Sequence, residues 1–429
     1  MHQESVSENS IVVLPFRNIS SDVENEYFSD GITEEIINAL TKVNGLNVIA
    51  RTSAFAFKGK DIDLRDVGTQ LKVAYVLEGS VRKAGNRVRV TTQLVKASDG
   101  FHIFSETYDR ELQDIFKVQD DISNKIAQKF ADSIGIKKKG LNLVGSSTGS
   151  MEAYELYLKG RFNLSKGSLE AAQAAIQYFE AALLKDKNFV LPLTGLAACF
   201  TFLGGSGLMS ANEAFNKAKE FAGKTNMLDE NIAETHLALA NSSFWYDWDF
   251  EQTARSIKRA IRLSPGTASI HGFNAVYLMA AGKMDEALIE AKLATMLDPL
   301  SLKEKFHLAE LFYRSERYVE AIELFDEILA ENPFFNQASI LKAWGHLFMD
   351  EHDLAVNIFK NIPVTSDTDL TFYGGLAYCY HKLGQVEKVL ECLKDFKADL
   401  AKGYSHWVSY NYTLSSSILR RDWRIGSHH

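Results

Sequence analysis

Up to about residue 139 the apolar positions alternate between two periods, and each change of period marks an element. Ile11-Val12-Val13-Leu14-Pro15-Phe16 is an unbroken apolar run of buried-strand type. From Tyr27 to Val43, Phe28, Ile32, Ile36, Ile37 and Leu40 recur at helical spacing, and Asn44-Gly45 supplies a stop. Leu46–Arg51 reads as a second strand. Asp63–Lys72 reads as a second helix, with Leu64, Val67 and Leu71 on one face. Three strand-like runs follow: Tyr75–Lys83, Arg87–Lys96 and Phe101–Tyr108. The residues between them, Ala84-Gly85-Asn86 and Ser98-Asp99-Gly100, suit hairpin turns. A helix from about Leu112 to Ile134, striped by Ile115, Val118, Ile122, Ile126 and Phe130, closes the unit. The order β-α-β-α-β-β-β-α predicts an α+β domain with a mixed sheet over residues 11–136.

Small and polar residues over 137–149 predict a linker, and beyond it only helical patterns remain. Pro265, Pro299 and Pro333 are each 34 residues apart. Ala287, Ala321 and Ala355 keep the same step, as do Ala275, Ala309, Ala343 and Ala377, and Phe325 and Phe359. Independent columns sharing one period are a strong repeat signal. Each unit reads as helix, turn, helix, with small residues where helices approach closely and Pro where the second helix ends. The pattern resembles the tetratricopeptide repeat, best through Leu308-Ala309, Phe312, Ala321, Phe325 and Pro333, and more loosely through Gly160, Ala175, Phe179 and Ala182. The resemblance implies an all-α superhelix of about seven repeats over 150–423, ending in a helix around Ser405–Leu419. Such arrays bind many unrelated partners, so the repeat names no function.

With the repeats in register, the first helix of each pair lines the concave face. Phe273, Phe306, Tyr313, Ile340, Trp344 and Tyr378 are expected there, beside Val276, His307, Glu310, Leu341, Phe348 and His381. The cluster of Lys, Arg and Asn that grips a chaperone's C-terminal carboxylate is missing, which excludes that partner class. An aromatic, apolar face is either inter-repeat core or a groove for a protein segment, supplied by the N-terminal domain in cis or by a partner. Phe244-Trp245-Tyr246-Asp247-Trp248-Asp249-Phe250, the densest aromatic run, falls at a turn within one repeat. Trp245 and Trp248 there either cap the local core or anchor a partner.

Lys plus Arg number 47 against 55 Asp plus Glu, a formal charge of −8, which argues against a broad nucleic-acid surface. Up to Lys139 there are 19 basic and 20 acidic residues, leaving 28 and 35 beyond it, so the acidity belongs to the repeats. Three scattered cysteines, Cys199, Cys379 and Cys392, make neither a disulfide framework nor a four-ligand zinc site. They lean toward a reducing cytoplasm. Between Lys187 and Glu213 no side chain is charged, but five residues there are Pro192 and the glycines 195, 204, 205 and 207. A buried helix and glycine loop fit better than a membrane span. Residues 1–10 are polar and predict no export signal, and 426–429 read as a cloning scar and tag.

No nucleotide loop, zinc motif or nucleophile elbow occurs, so no catalytic, cofactor or metal residue is assigned. Asp30, Glu34, Glu35, Asp120 and Asp121 are the tempting carboxylates; solvated helix faces and capping are the expectation for them. Arg82, Lys83, Arg87 and Arg89 gather on one hairpin, as a solvated face or a site for an acidic partner.

Long segments of the first half resemble the TolB-like N-terminal domain of bacterial signalling proteins. They are Ile11–Phe16, Glu26–Glu35, Arg51-Thr52-Ser53 with Phe57–Lys60, Val76–Arg82, Phe104–Arg110 and Ile115-Phe116 with Gln119-Asp120. Phe104 stands where that family usually has Trp. The resemblance covers residues 11 to about 130 and implies a domain commonly placed before tetratricopeptide repeats and an output module, a nucleotide cyclase or a DNA-binding domain. It implies no catalytic residue and no ligand. The expectation is a non-catalytic sensor and protein-interaction region of a bacterial signalling or transcription-regulatory protein, cytoplasmic, able to form homo-oligomers. The alternatives are an envelope assembly factor on the periplasmic side of an inner-membrane protein, and a regulatory subunit of an enzyme.

Overall fold

A short parallel unit and a three-stranded antiparallel meander share one sheet in this computed structural model, which describes residues 7–22, 25–134, 148–363 and 372–401. The elements run β1 (Ser7–Val13), β2 (Arg17–Asn18), α1 (Glu26–Leu40), β3 (Asn47–Val48), α2 (Arg51–Phe55), α3 (Leu64–Leu71), β4 (Val73–Ala84), β5 (Arg87–Lys96), β6 (His102–Glu111) and α4 (Ile115–Ile134). The sheet order is β3-β1-β4-β5-β6, with β2 pairing β4. β1 runs parallel to β3 and β4, and β4, β5 and β6 are antiparallel. Hairpin turns at Gly85 and Gly100 take positive φ, as their sequence predicted.

The predicted strand Leu46–Arg51 is corrected: only Asn47–Val48 pair, and Arg51 opens the extra helix α2. Ala50 donates its N–H to Leu297 O at 2.7 Å instead of to a sheet neighbour, which ends the strand. The two-residue β2 had no pattern to announce it. The core lies where the periodicity put it: Ile11, Val12 and Val13 of β1, Phe28, Ile32 and Ile36 of α1, and Ile115, Val118 and Ile122 of α4 are all buried.

After this domain come seven helical pairs among the described residues: α5 (Met151–Leu164) with α6 (Leu169–Lys185), α7 (Leu191–Gly205) with α8 (Ala211–Leu228), α9 (Ala233–Ser242) with α10 (Phe250–Leu263), α11 (Ala268–Ala280) with α12 (Met284–Leu297), α13 (Leu302–Arg314) with α14 (Tyr318–Glu331), α15 (Asn336–Phe348) with α16 (His352–Lys360), and α17 (Phe372–Lys382) with α18 (Val386–Ala401). They form a tetratricopeptide-type array following the α+β domain. The alanine columns are closed packing positions: Ala275, Ala309 and Ala343, and Ala287 and Ala355, have no exposed surface. The uncharged stretch after Lys187 is α7, buried among its neighbours, and no helix among the described residues is long and apolar enough to cross a membrane. The expected linker, apart from its last two residues, the final helix and the tag lie outside the described residues.

A further column emerges in the turns. Gly282 and Gly384 take φ of +75° and +71°, and Trp248, Glu316 and Asp350, in step with them at intervals of 34, take +58°, +61° and +61°. The left-handed conformation belongs to the repeat turn, and only two of these five sites carry the residue that adopts it without steric cost.

The chain divides into two compact units between Glu304 and Lys305, within α13. The first therefore holds the sheet domain together with the first four helical pairs.

Candidate functional site

Several polar residues of the sheet domain converge on the repeats. α1 presents an acidic segment because its helical register puts Asp30, Glu34 and Glu35 next to the apolar stripe that faces the core. Its Gly31 lets that face approach α5: a Cβ at Gly31 would lie 2.6 Å from Leu158 Cδ2. One helix of the first repeat, α5, answers with cations and a phenol. Arg161 pairs with Glu34, whose other oxygen lies 3.3 Å from Arg51 Nε. Tyr157 Oη donates to Glu35 Oε1 at 3.1 Å. Lys83 of β4 pairs with Glu155. Gln119 of α4 donates to Tyr154 Oη at 2.9 Å, above a ring contact of 4.6 Å between Phe116 and Tyr154. Tyr154, Tyr157, Leu158, Phe179 and Phe189 join the sheet domain's own hydrophobic cluster, so a continuous apolar core underlies these polar contacts.

Two inter-repeat loops, one period apart, provide further contacts. In the loop at Pro265, Gly266 N donates to Thr41 O at 2.9 Å and Ser264 Oγ meets Thr41 Oγ1 at 2.9 Å. In the loop at Pro299, Asp298 Oδ1 accepts from Ser53 N at 3.0 Å and Ser53 Oγ at 2.6 Å, while Leu300 N donates back to Ser53 Oγ at 2.8 Å. The repeat period thus gives the sheet domain two equivalent loops to sit on.

The electrostatics follow from burial. Burial pushes Glu34 up, but the guanidiniums of Arg161 and Arg51 outweigh it and hold the carboxyl below its ordinary value. Glu35 has less help: burial raises it to about 7, with Arg161 pulling down and Glu34 pushing up. Burial likewise raises Asp30, although Lys58 Nζ bonds its two oxygens at 2.7 and 2.6 Å. Burial also raises Asp298, opposed by its bonds to Ser53. Charges this enclosed are costly without their partners, so ionised Glu34 depends on Arg161 and Arg51 staying in place.

This corrects the expectation for the carboxylates. Asp30 and Glu34 are buried, not solvated, and they are partnered rather than aimed into an open cleft. Asp121 is exposed and Asp120 half-buried on α4. The hairpin cations divide: Arg87 and Arg89 share Asp109, Arg82 is exposed, and Lys83 belongs to the contact with α5. Among the described residues no cluster of His, Cys, Asp and Glu could hold a metal ion. What sequence reasoning missed is that Glu34, Glu35, Arg51, Ser53 and Gln119 of the signature segments meet the repeats directly, with the Asp30–Lys58 pair beside them. The available signal was that Asp30, Glu34 and Gln119 are polar yet lie beside the apolar stripes of α1 and α4.

The expected groove residues fall into two groups. Phe273, Tyr313 and Ile340 are buried, Phe273 in a cluster with Phe244 and Ile257 of the preceding helical pair. Phe306, Trp344, Tyr378 and Trp245 are half-buried, Phe306 beside Phe335 at 5.2 Å and Trp344 stacked on Phe348 at 5.8 Å. Trp248 is 64% exposed.

Residues 7–125 match the family described as HilA/YgeH-like transcriptional regulator, second domain. The chain is 47% identical over 154 residues to "Putative adenylate cyclase 3" of Rhizobium meliloti (strain 1021), a stretch covering 35% of this chain and 26% of that protein. It therefore spans only about a quarter of that relative. It is 24% identical over 400 residues to "Transcriptional regulator HilA" of Salmonella typhimurium, covering 90% of this chain and 68% of that protein. Among solved structures it is similar to a tetratricopeptide repeat protein from Parabacteroides merdae, with 13% identity, a TM-score of 0.41 and coverage of 63% of this chain and 98% of that one.

Proposed function

We propose that this chain is the non-catalytic sensing and interaction region of a bacterial signalling or transcription-regulatory protein, in which the repeats hold the sheet domain in cis and offer their remaining aromatic surface to a protein partner. The observation that supports it most is the pairing of Glu34 and Glu35 with α5, together with the bonds of Thr41 and Ser53 to the two repeat loops: these polar residues of the domain are spent on an intramolecular contact. The names of the two relatives, a cyclase and a transcription regulator, support a regulatory role. On this reading residues 11 to about 130 act as a TolB-like module, three of the segments that resemble it meeting the repeats through Glu34 and Glu35, Arg51 and Ser53, and Gln119. Two partner surfaces are assigned, one to Trp344 and Tyr378 in the second unit and a separate one to Trp248 in the first.

The test is affinity capture from the native bacterium with the full chain as bait. A partner retained by the wild type and lost at least tenfold with Trp344→Ala/Tyr378→Ala, at unchanged circular dichroism, supports the reading. Nucleotide cyclisation or hydrolysis by the purified chain, abolished by Glu34→Gln, contradicts it.

A further inference from the structure

The second helices of two successive repeats, α10 and α12, flank a groove of about 420 Å³ floored by α11. Its apolar lining comes from Ile257 and Ile261 on α10, Tyr277 and Leu278 on α11, and Ile289 on α12, the last 68% exposed. That volume lies in the range of sites that take a few apolar side chains.

The two rims differ in charge, and only one of them is already neutralised. On α12, Glu286 lies 3.1 Å from Lys283 Nζ, and Glu290 Oε2 lies 2.5 Å from His271 Nδ1. On α10, Lys258 and Arg262 form no ion pair among the described residues, whereas Arg255, on the same helix, is tied to Glu251 at 2.5 Å. An apolar trough with one open basic rim is complementary to a segment carrying apolar residues beside acidic ones.

The groove is also continuous with the domain contact. His271 reaches from Glu290 to Pro265 O, at 2.8 Å, and the next residue, Gly266, is bonded to Thr41 of the sheet domain. Glu290 is thus linked to Thr41, at α1's C-terminal end, through His271, Pro265 and Gly266.

We propose that the α10–α12 groove is a docking site for an acidic amphipathic segment of a protein partner, its apolar side chains seated on Ile261 and Ile289 and its carboxylates on Lys258 and Arg262. It is a separate surface from the aromatic ones assigned above, and each can fail without the others.

Two fluorescein-labelled helical peptides serve as probes, one with a leucine stripe flanked by glutamates and the other with lysines in the same places. Fluorescence anisotropy with the full chain reads the binding. The glutamate peptide binds the wild type at least tenfold tighter than the lysine peptide, and loses at least tenfold on Lys258→Glu/Arg262→Glu. The lysine peptide gains affinity for that same variant, which a merely misfolded surface would not produce. Ile289→Asp weakens the glutamate peptide, and Trp344→Ala leaves it unchanged. Equal affinity for both peptides, no binding of either up to millimolar concentration, or loss on Trp344→Ala alone overturns the proposal. So does a preference for phosphatidylglycerol vesicles that Lys258→Glu/Arg262→Glu abolishes while peptide binding is unaffected.

Discussion

Replacing Arg161 by Met removes the charge that holds Glu34 while keeping most of the side chain's length and apolar stem. The Glu34 side chain is 10% exposed and that of Arg161 22%, so little solvent is available to take over. Orphaning a buried charge costs about 3–5 kcal/mol. Here Arg51 remains 3.3 Å from the other carboxylate oxygen, which limits the loss. We expect about 2–3 kcal/mol, concentrated where α1 meets α5. If local opening there governs amide exchange, protection over Glu26–Leu40 falls roughly 30- to 150-fold. Hydrogen-exchange mass spectrometry on the full chain reads this peptide by peptide, which avoids assigning one unfolding free energy to a chain of two compact units. Protection in α17 serves as the internal reference and should not move. Unchanged exchange in α1, or an equal loss in α17, would refute the reasoning: the first because the pair carries no energy, the second because the effect is global.

Three further outcomes follow from the same geometry. Because burial lifts Glu35 to about 7, the folded chain binds more protons than the unfolded one between its ordinary value and 7. Stability of the first unit therefore falls as pH rises through that window, and Glu35→Gln should flatten the profile, gaining on the order of 2–3 kcal/mol at pH 8 but little at pH 4; an unaltered thermal-unfolding profile would sink this. Trp248→Gly relieves a left-handed turn, so protection of α9 and α10 should rise by up to about 1 kcal/mol while partner capture falls. Protection that falls along with capture would mean that Trp248 stabilises its own repeat and is no anchor. Gly31→Leu should open the same contact as Arg161→Met without touching any charge, visible as the same pattern of exchange, since the added side chain has Leu158 in its way.

Much of the fold was legible because its signals are periodic. The 34-residue columns of Pro and Ala located the helical pairs, and the alternation in β5 gave its bounds to the residue. What failed did so for tertiary reasons. Leu46–Arg51 has a strand's composition, yet Ala50's N–H is taken by Leu297, far along the chain, and α2 forms where strand was expected. Asp30, Glu34 and Glu35 read as solvated because their partners, Lys58, Arg51, Arg161 and Tyr157, lie up to 127 residues away. A single sequence records neither pairing. The turn column at Trp248 was readable in principle, since its spacing matches Gly282 and Gly384, but positive φ is announced by glycine and three of its five sites lack one.

The central claim is that the sheet domain is held in cis on the first repeat, and a zero-length carbodiimide crosslink tests it most directly. Lys83 Nζ and Glu155 form an ion pair between β4 and α5, while Lys125 and Glu106 form one within the sheet domain. On the intact chain, mass spectrometry should find the Lys83–Glu155 isopeptide bond at a yield comparable to Lys125–Glu106, and unchanged on tenfold dilution. A Lys125–Glu106 crosslink without the Lys83–Glu155 one, or one that vanishes on dilution, would contradict the account.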